Sequence, residues 1–223
     1  MNLRILHEDE HIIICYKPAG IPTQTKKLGE QDMESLLKNY LKGGYVAVIH
    51  RLDQPVEGLL VFAKTPFAAK ELNKGLQGEG FGKYYKAVLW GIPMESSATL
   101  ENYLVKDGKT NTSRIATQGE RDAKKAVLSY EVLSTGQDGG RDISLVKIKL
   151  DTGRHHQIRV QMAHMGCPIW GDAKYNTQAI HDRRFRHIAL CAYRLEVAHP
   201  KTKKQIVFEI EPEGEGFFIT PKL

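Results

Sequence analysis

The chain has 223 residues, 41% of them hydrophobic and 26% charged, enough for a full core and balanced like an ordinary soluble globular protein. Lysine and arginine outnumber aspartate and glutamate by 32 to 26, a net charge of +6, which suits a polyanionic partner. No apolar stretch approaches the roughly 18 residues that would span a bilayer.

The opening, MNLRILHEDEHIIICYKPAG, sets acidic residues ahead of a short apolar run. A secretory leader would begin basic and run longer, so a cytoplasmic location is expected. Cys15, Cys167 and Cys191 are far apart. That spacing fits neither a disulfide framework nor a zinc site and predicts plain buried thiols.

In chain order, His11 to Tyr16 reads as a buried strand stopped by Pro18 and Gly20. Met33 to Leu41 reads as a short helix with Asp32 as its cap. Tyr45 to Ile49 and Gly58 to Ala63 have the length and composition of strands, with HRLDQPVE between them. Phe67 to Leu76 carries apolar residues at helical spacing. Strands are then predicted at Lys83 to Leu89, Thr99 to Val105, Val127 to Leu133, Ile143 to Leu150, Ile188 to Val197 and Gln205 to Ile210.

After Gly153, HHQIRVQMAHMG places Ile158, Met162 and Met165 on one helical face, with Gly166 as the stop. Strands outnumber helices, and many are joined by short turns. The expectation is an α+β fold with a large, mainly antiparallel sheet. No phosphate-binding glycine loop is present.

Three segments hold the residues that could carry chemistry. HRLDQPVEGLLVFAK, His50 to Lys64, sits between two predicted strands, where a sheet can hold a reactive loop. Asp53 lies in it, and Pro55 stiffens the turn. Alone, the segment reads equally well as a structural turn. TGRHHQIRVQMAHMGCPIWGDAKY, Thr152 to Tyr175, clusters Arg154, His155, His156 and Arg159 in what reads as the first turn of a helix, a setting that attracts anions. A metal reading of its histidines is poor, since no ligand spacing matches. In GKYYKAVLWG, Gly82 to Gly91, Tyr84 and Tyr85 point to opposite faces of a strand, and one could stack on a base.

Together these segments resemble the ordered motifs of RluA-type RNA pseudouridine synthases. The resemblance runs through HRLD with its glycine five residues on, Lys83–Tyr85–Ala87, Thr152–Arg159, Gly171–Tyr175 and Cys191–Pro200, after an opening HIIICYKPAGIPTQ. It covers nearly the whole chain, in order. It implies a single catalytic domain over residues 1–223, without a separate N-terminal RNA-binding domain. That domain would be a pseudouridine synthase fold, a long, mainly antiparallel mixed sheet with flanking helices and a central basic cleft.

The implied activity is isomerisation of uridine to pseudouridine in ribosomal or transfer RNA, with no metal or other cofactor. The implied partner is an RNA stem-loop, with no DNA or membrane involved and a monomer expected. By motif position Asp53 is the essential carboxylate, Tyr85 the ring against the target base, and Arg159 the basic partner of Asp53. Arg51, His50, Arg154, His156 and Gln157 are the implied RNA contacts.

The chemistry suits those roles. A carboxylate acting at the sugar must be ionised, a neighbouring Arg keeps it so, and a base inside a stack must be flipped out to be reached. Two departures stand out. Val56-Glu57 replaces the family's usual Thr-Ser, removing two hydroxyls that could order the loop, and His155 stands where Thr is common. The competing readings are an RNA-binding protein of the same fold without catalysis, and a nucleotide hydrolase or deaminase. The latter would need a zinc-ligand set or a nucleophile with a positioned base, and neither is apparent.

Overall fold

A computed structural model describes residues 3–27, 29–78, 80–176 and 187–218. By internal contacts the chain falls into two compact units, Met1–Lys83 with Ala192–Pro212, and Tyr84–Cys191 with Glu213–Leu223. The elements, in chain order, are strands β1 (Arg4–Glu8) and β2 (Ile12–Lys17), helix α1 (Met33–Tyr40), strands β3 (Ala47–Val48) and β4 (Glu57–Ala63), and helix α2 (Pro66–Gln77). Next come strands β5 (Phe81–Trp90), β6 (Ser97–Asp107), β7 (Thr112–Ala116), β8 (Lys124–Asp138) and β9 (Arg141–Leu150), helix α3 (Gln157–His164), and strands β10 (Leu190–Ala198) and β11 (Gln205–Glu209).

The first unit carries the strand order β1-β2-β4-β10, with β3 against β4 and β11 against β10. Its centre is β2 and β4, antiparallel from Ile12 opposite Ala63 to Lys17 opposite Gly58. Every residue of both strands is buried, so each reads as a continuous apolar run rather than an alternation. Helix α1 buries Met33, Leu36 and Leu37, and α2, packed on β4, buries Ala68 and Leu72. Asp32 caps α1 as expected, its Oδ1 accepting from Ser35 N at 2.7 Å, and Thr65 caps α2 in the same way.

Gly58 is fixed by close approach. A Cβ at this position would lie 2.5 Å from both the backbone N and O of Ala192, and its φ of +134° disfavours any side chain. Gly58→Ala is expected to lose about 2–3 kcal/mol of stability through overlap and backbone strain, read as a lowered urea midpoint with unchanged slope. An unshifted midpoint would mean that Ala192 moves aside at no cost.

The second unit carries the order β5-β9-β8-β6-β7. Strands β8 and β9 form a hairpin across Gly139-Gly140, both at positive φ, as a two-residue turn matched to strand twist demands. Val88, Trp90, Ile143, Leu145, Trp170 and Ala189 form one core cluster here, and Leu104, Ala126 and Val160 another.

The α+β class and the predicted strands are borne out, most with longer bounds. Two expectations change. Tyr45 to Ile49 shrinks to Ala47–Val48, because the chain from Lys42 to Tyr45 is exposed. Helix α3 begins at Gln157, so Arg154, His155 and His156 precede it. Its residues 157–162 are all buried rather than showing one apolar face. Strands β1 and β7 escape a hydrophobicity reading because most of their residues are polar and partly exposed.

Candidate active site

In the first unit, the backbone on both sides of Asp53 is clamped by the segment linking β2 to α1. Thr23 is buried, and its Oγ1 accepts from Leu52 N at 3.1 Å and donates to Leu52 O at 3.0 Å. Gly20 N donates to Gln54 O at 2.8 Å, and Gln54 Nε2 donates back to Gly20 O at 3.0 Å. Val56 N closes the turn on Asp53 O at 3.0 Å. Leu52 and Val56 point into the core, while Asp53 itself is half-buried and Arg51 exposed. The apolar neighbours anchor the turn, and the carboxylate at its head stays within reach of solvent.

Lys17, the last residue of β2, completes the clamp. It is fully buried, and its Nζ donates to Pro18 O (3.0 Å), Ile21 O (2.7 Å) and Gln54 O (3.1 Å). Three ammonium N–H groups meet three carbonyls, the arrangement that makes a buried lysine tolerable. Burial pushes its pKa down to about 7 against the opposing pull of Asp53 and Glu57. A lysine at a strand end reads from sequence as solvated, so this role had no signal beyond its place in the KPAG segment.

His50 lies at the entrance to the turn. Its Nε2 accepts from Val61 N at 3.2 Å, and its ring packs edge-on to Phe81 at 5.1 Å. Desolvation, with a smaller contribution from Lys83, lowers its pKa to about 3. The imidazole is neutral and braces β4.

In the second unit, Arg159 is buried and held by Asp172 through two bonds, Nε to Oδ2 at 2.8 Å and one terminal nitrogen to Oδ1 at 2.7 Å. Asp172 also accepts from Lys174 N at 3.0 Å. This two-point pairing fixes the guanidinium plane, which also sits over the Tyr175 ring at 5.2 Å. Asp172 and Tyr175 belong to the GD-x-x-Y motif, but the sequence did not show that they hold Arg159.

The Thr152–Gln157 turn is organised internally. Gln157 Oε1 accepts from Thr152 Oγ1 (2.8 Å) and Arg154 N (2.9 Å), and its Nε2 donates to Val127 O at 3.0 Å. His156, left-handed at φ 54°, shares a 2.7 Å hydrogen bond with the Tyr175 hydroxyl. Desolvation first, then Arg159, lowers its pKa to about 3. Of the residues expected to meet RNA, then, His50, His156 and Gln157 have partners within the fold. Arg51 and Arg154 are exposed, with Arg154 Nε donating to Lys125 O at 2.8 Å. Tyr85, on β5, is 7% exposed, and its neighbour Tyr84 is less buried. Asp53 belongs to the first unit, and Tyr85 and Arg159 to the second.

The three cysteines are buried and unbridged, as expected. Burial raises the Cys15 thiol to about 12, which keeps it from serving as a thiolate nucleophile. Among the described residues no helix is long and apolar enough to cross a membrane.

The family model for RNA pseudouridylate synthase matches residues 11–164, more than half of the chain. The chain belongs to the RNA pseudouridylate synthase family. Its reaction is that of the family, isomerisation of uridine to pseudouridine within RNA. A relative from Bacillus subtilis, the uncharacterized RNA pseudouridine synthase YhcT, is 32% identical over 93% of this chain and 68% of its own length. The tRNA pseudouridine synthase C of Vibrio vulnificus is 29% identical over 94% of this chain and 90% of its own. The ribosomal large subunit pseudouridine synthase C of Rickettsia prowazekii is 32% identical over 79% and 57%. In fold, the chain resembles human RNA pseudouridylate synthase domain containing 1, with a TM-score of 0.80 at 24% identity over 95% of this chain and 84% of that one.

Proposed function

We propose that this pseudouridine synthase modifies uridine in ribosomal or transfer RNA, with Asp53 as the carboxylate that acts on the ribose. The observation that carries this reading is the turn itself. Leu52 and Gln54, on either side of Asp53, are bonded through their backbones to Thr23, Lys17 and Gly20, and the carboxylate between them is half-buried. A reacting group held by its flanks needs no reorganisation when substrate arrives.

In the reaction the N1–C1′ bond breaks and a C5–C1′ bond forms. C5 releases a proton and N1 takes one up, so no redox partner is required. An ionised Asp53 serves either as nucleophile at C1′ or as base at the ribose. Tyr85 and Arg159 are assigned to the same uridine by motif position. Arg51 and Arg154 are the exposed cations suited to phosphate, while His50, His156 and Gln157 shape the turns that present them. The named relatives act on ribosomal and transfer RNA, and the target is expected to be a structured stem-loop flipped open at one uridine. A map of pseudouridines in cellular RNA with and without this gene tests the assignment, and identical maps would overturn it.

Affinity for RNA is expected to fall steeply with salt. A chain of net charge +6 that grips phosphate through Arg51 and Arg154 releases counterions on binding. Filter binding of an unmodified tRNA transcript across a salt series should give a clearly negative slope of log affinity against log salt. Arg154→Ala should reduce that slope by about 1. A flat series would remove phosphate from the recognition.

A further inference from the structure

Residues 199–204 turn the chain from β10 into β11 and carry Lys201, Lys203 and Lys204, all exposed. His199 N donates to Lys204 O and Lys203 N to His199 O, both at 2.9 Å. The buried His199 ring fixes the inside of the turn. Its Nδ1 accepts from Lys201 N at 3.3 Å and from Thr202 N at 3.1 Å. The ring proton is therefore on Nε2, which donates to Asp9 Oδ2 at 2.9 Å. Asp9 Oδ1 accepts from His11 N at 2.7 Å and Ile12 N at 2.9 Å. The three lysines thus stand on a backbone tied to the first strands of the chain.

Two features set this turn apart from an ordinary solvated one. Lys203 is left-handed, at φ 60°, a conformation that strains a residue with a side chain and not glycine. The carboxylates beside the turn are also engaged already. Asp9 holds His199, and Glu71 on α2 is shared between Lys203 and Lys74. Lys201 and Lys204 have no carboxylate partner among the described residues.

The place of the turn follows from the sheet. Strand β10 lies beside β4, with Ala192 against Gly58 at one end. At the other end His199 bonds Asp9, which holds the amide of Ile12, the residue opposite Ala63. The lysines are therefore at the end of β4 away from the Asp53 turn. The run from Glu57 to Ala63 spans about 20 Å at about 3.3 Å per residue.

We propose that the β10–β11 turn is a second RNA-backbone contact, in which Lys201, Lys203 and Lys204 meet phosphates of a stem whose loop lies at Asp53. The spacing rests on Asp53 being the reacting carboxylate. Lysine ammonium groups bind phosphate as point charges, and a turn ordered in advance spends less entropy when it binds. Duplex phosphates step about 3.4 Å along the axis, so about 20 Å corresponds to a stem of about six base pairs.

The experiment measures filter binding of two synthetic hairpin RNAs that share one loop and have stems of about 4 and about 12 base pairs, each across a salt series. On the long stem, Lys201→Ala/Lys204→Ala should bind about tenfold more weakly and lose about 2 from the slope of log affinity against log salt. On the short stem, which does not reach the turn, it should match wild type. Lys203→Gly should lose about 1 from the long-stem slope. Its urea midpoint should stay at or above that of wild type, because glycine removes the strain and an exposed ion pair adds little.

That combination supports the contact, since a lysine kept only to pin α2 through Glu71 would not give it. An unchanged long-stem slope in the double variant overturns the proposal. Equal losses on both stems overturn it too, since they report overall charge rather than a contact. A Lys203→Gly protein that melts early and binds normally also overturns it, leaving Lys203 as a peg on α2. Asp53→Asn, run beside these, should bind both hairpins as wild type does. Pseudouridine made by that variant in a tRNA transcript strikes the carboxylate assignment and leaves the binding results as they stand.

Discussion

Asp53→Asn is expected to abolish pseudouridine formation, with turnover down by at least about 10²–10⁴-fold, while the fold stays within about 0.5 kcal/mol of wild type. Asparagine has the same shape and keeps an acceptor oxygen. Backbone bonds at residues 52, 54 and 56 and the buried side chains of Leu52 and Val56 hold the turn, and the substitution leaves all of them in place. Tritium release under single-turnover conditions, beside a urea melt, separates chemistry from folding. RNA affinity should survive, since neutralising a carboxylate in a basic protein does not weaken phosphate attraction. Near-normal turnover would transfer the chemistry to another group. Loss of turnover together with loss of fold would make Asp53 a structural aspartate.

Asp172→Ala is expected to cost the most stability, about 3–5 kcal/mol. Asp172 is completely buried, and so, nearly, is the Arg159 guanidinium that it holds by two bonds. Removing the carboxylate leaves a charge inside the protein without the partner that fixes its plane. The backbone N–H of Lys174 loses an acceptor as well. Asp172→Asn keeps that acceptor and the volume, so its loss should be smaller. A urea midpoint for Asp172→Ala within about 1 kcal/mol of wild type would mean that water replaces the carboxylate freely. Turnover should fall in both variants, because a guanidinium released from its plane no longer presents the same edge.

The sequence showed the elements better than the clamps. The runs from Ile12 and from Gly58 read as strands because both are fully buried, and burial on both faces leaves an unbroken apolar signature. Asp32 was readable as a cap because capping is local, spanning three residues. Asp53 could be singled out only through its motif, since the bonds that make its turn rigid come from Lys17, Gly20 and Thr23, about thirty residues earlier. No periodicity encodes a hydroxyl that both accepts from and donates to the backbone of Leu52.

The histidines show a related limit. His50 and His156 were implied RNA contacts, yet both are hydrogen-bonded within the fold and burial keeps both neutral. Desolvation depends on what packs around a ring, and a linear reading does not contain that. The pairing of Arg159 with Asp172 was hidden for another reason. Both residues lie in recognised motifs, but two buried charges announce their partnership only when the chain has brought them together.

Gly58 and Ala192 set a clock on synthesis. The unit that carries Asp53 is built from Met1–Lys83 and Ala192–Pro212, and Ala192 follows Gly58 by 134 residues. At ordinary translation rates that interval is on the order of ten seconds. Throughout it, the two fully buried strands, β2 and β4, wait on the ribosome with the edge of β4 that meets β10 still to be paired. An apolar strand edge held open for seconds is what chaperones bind and what aggregates seed from.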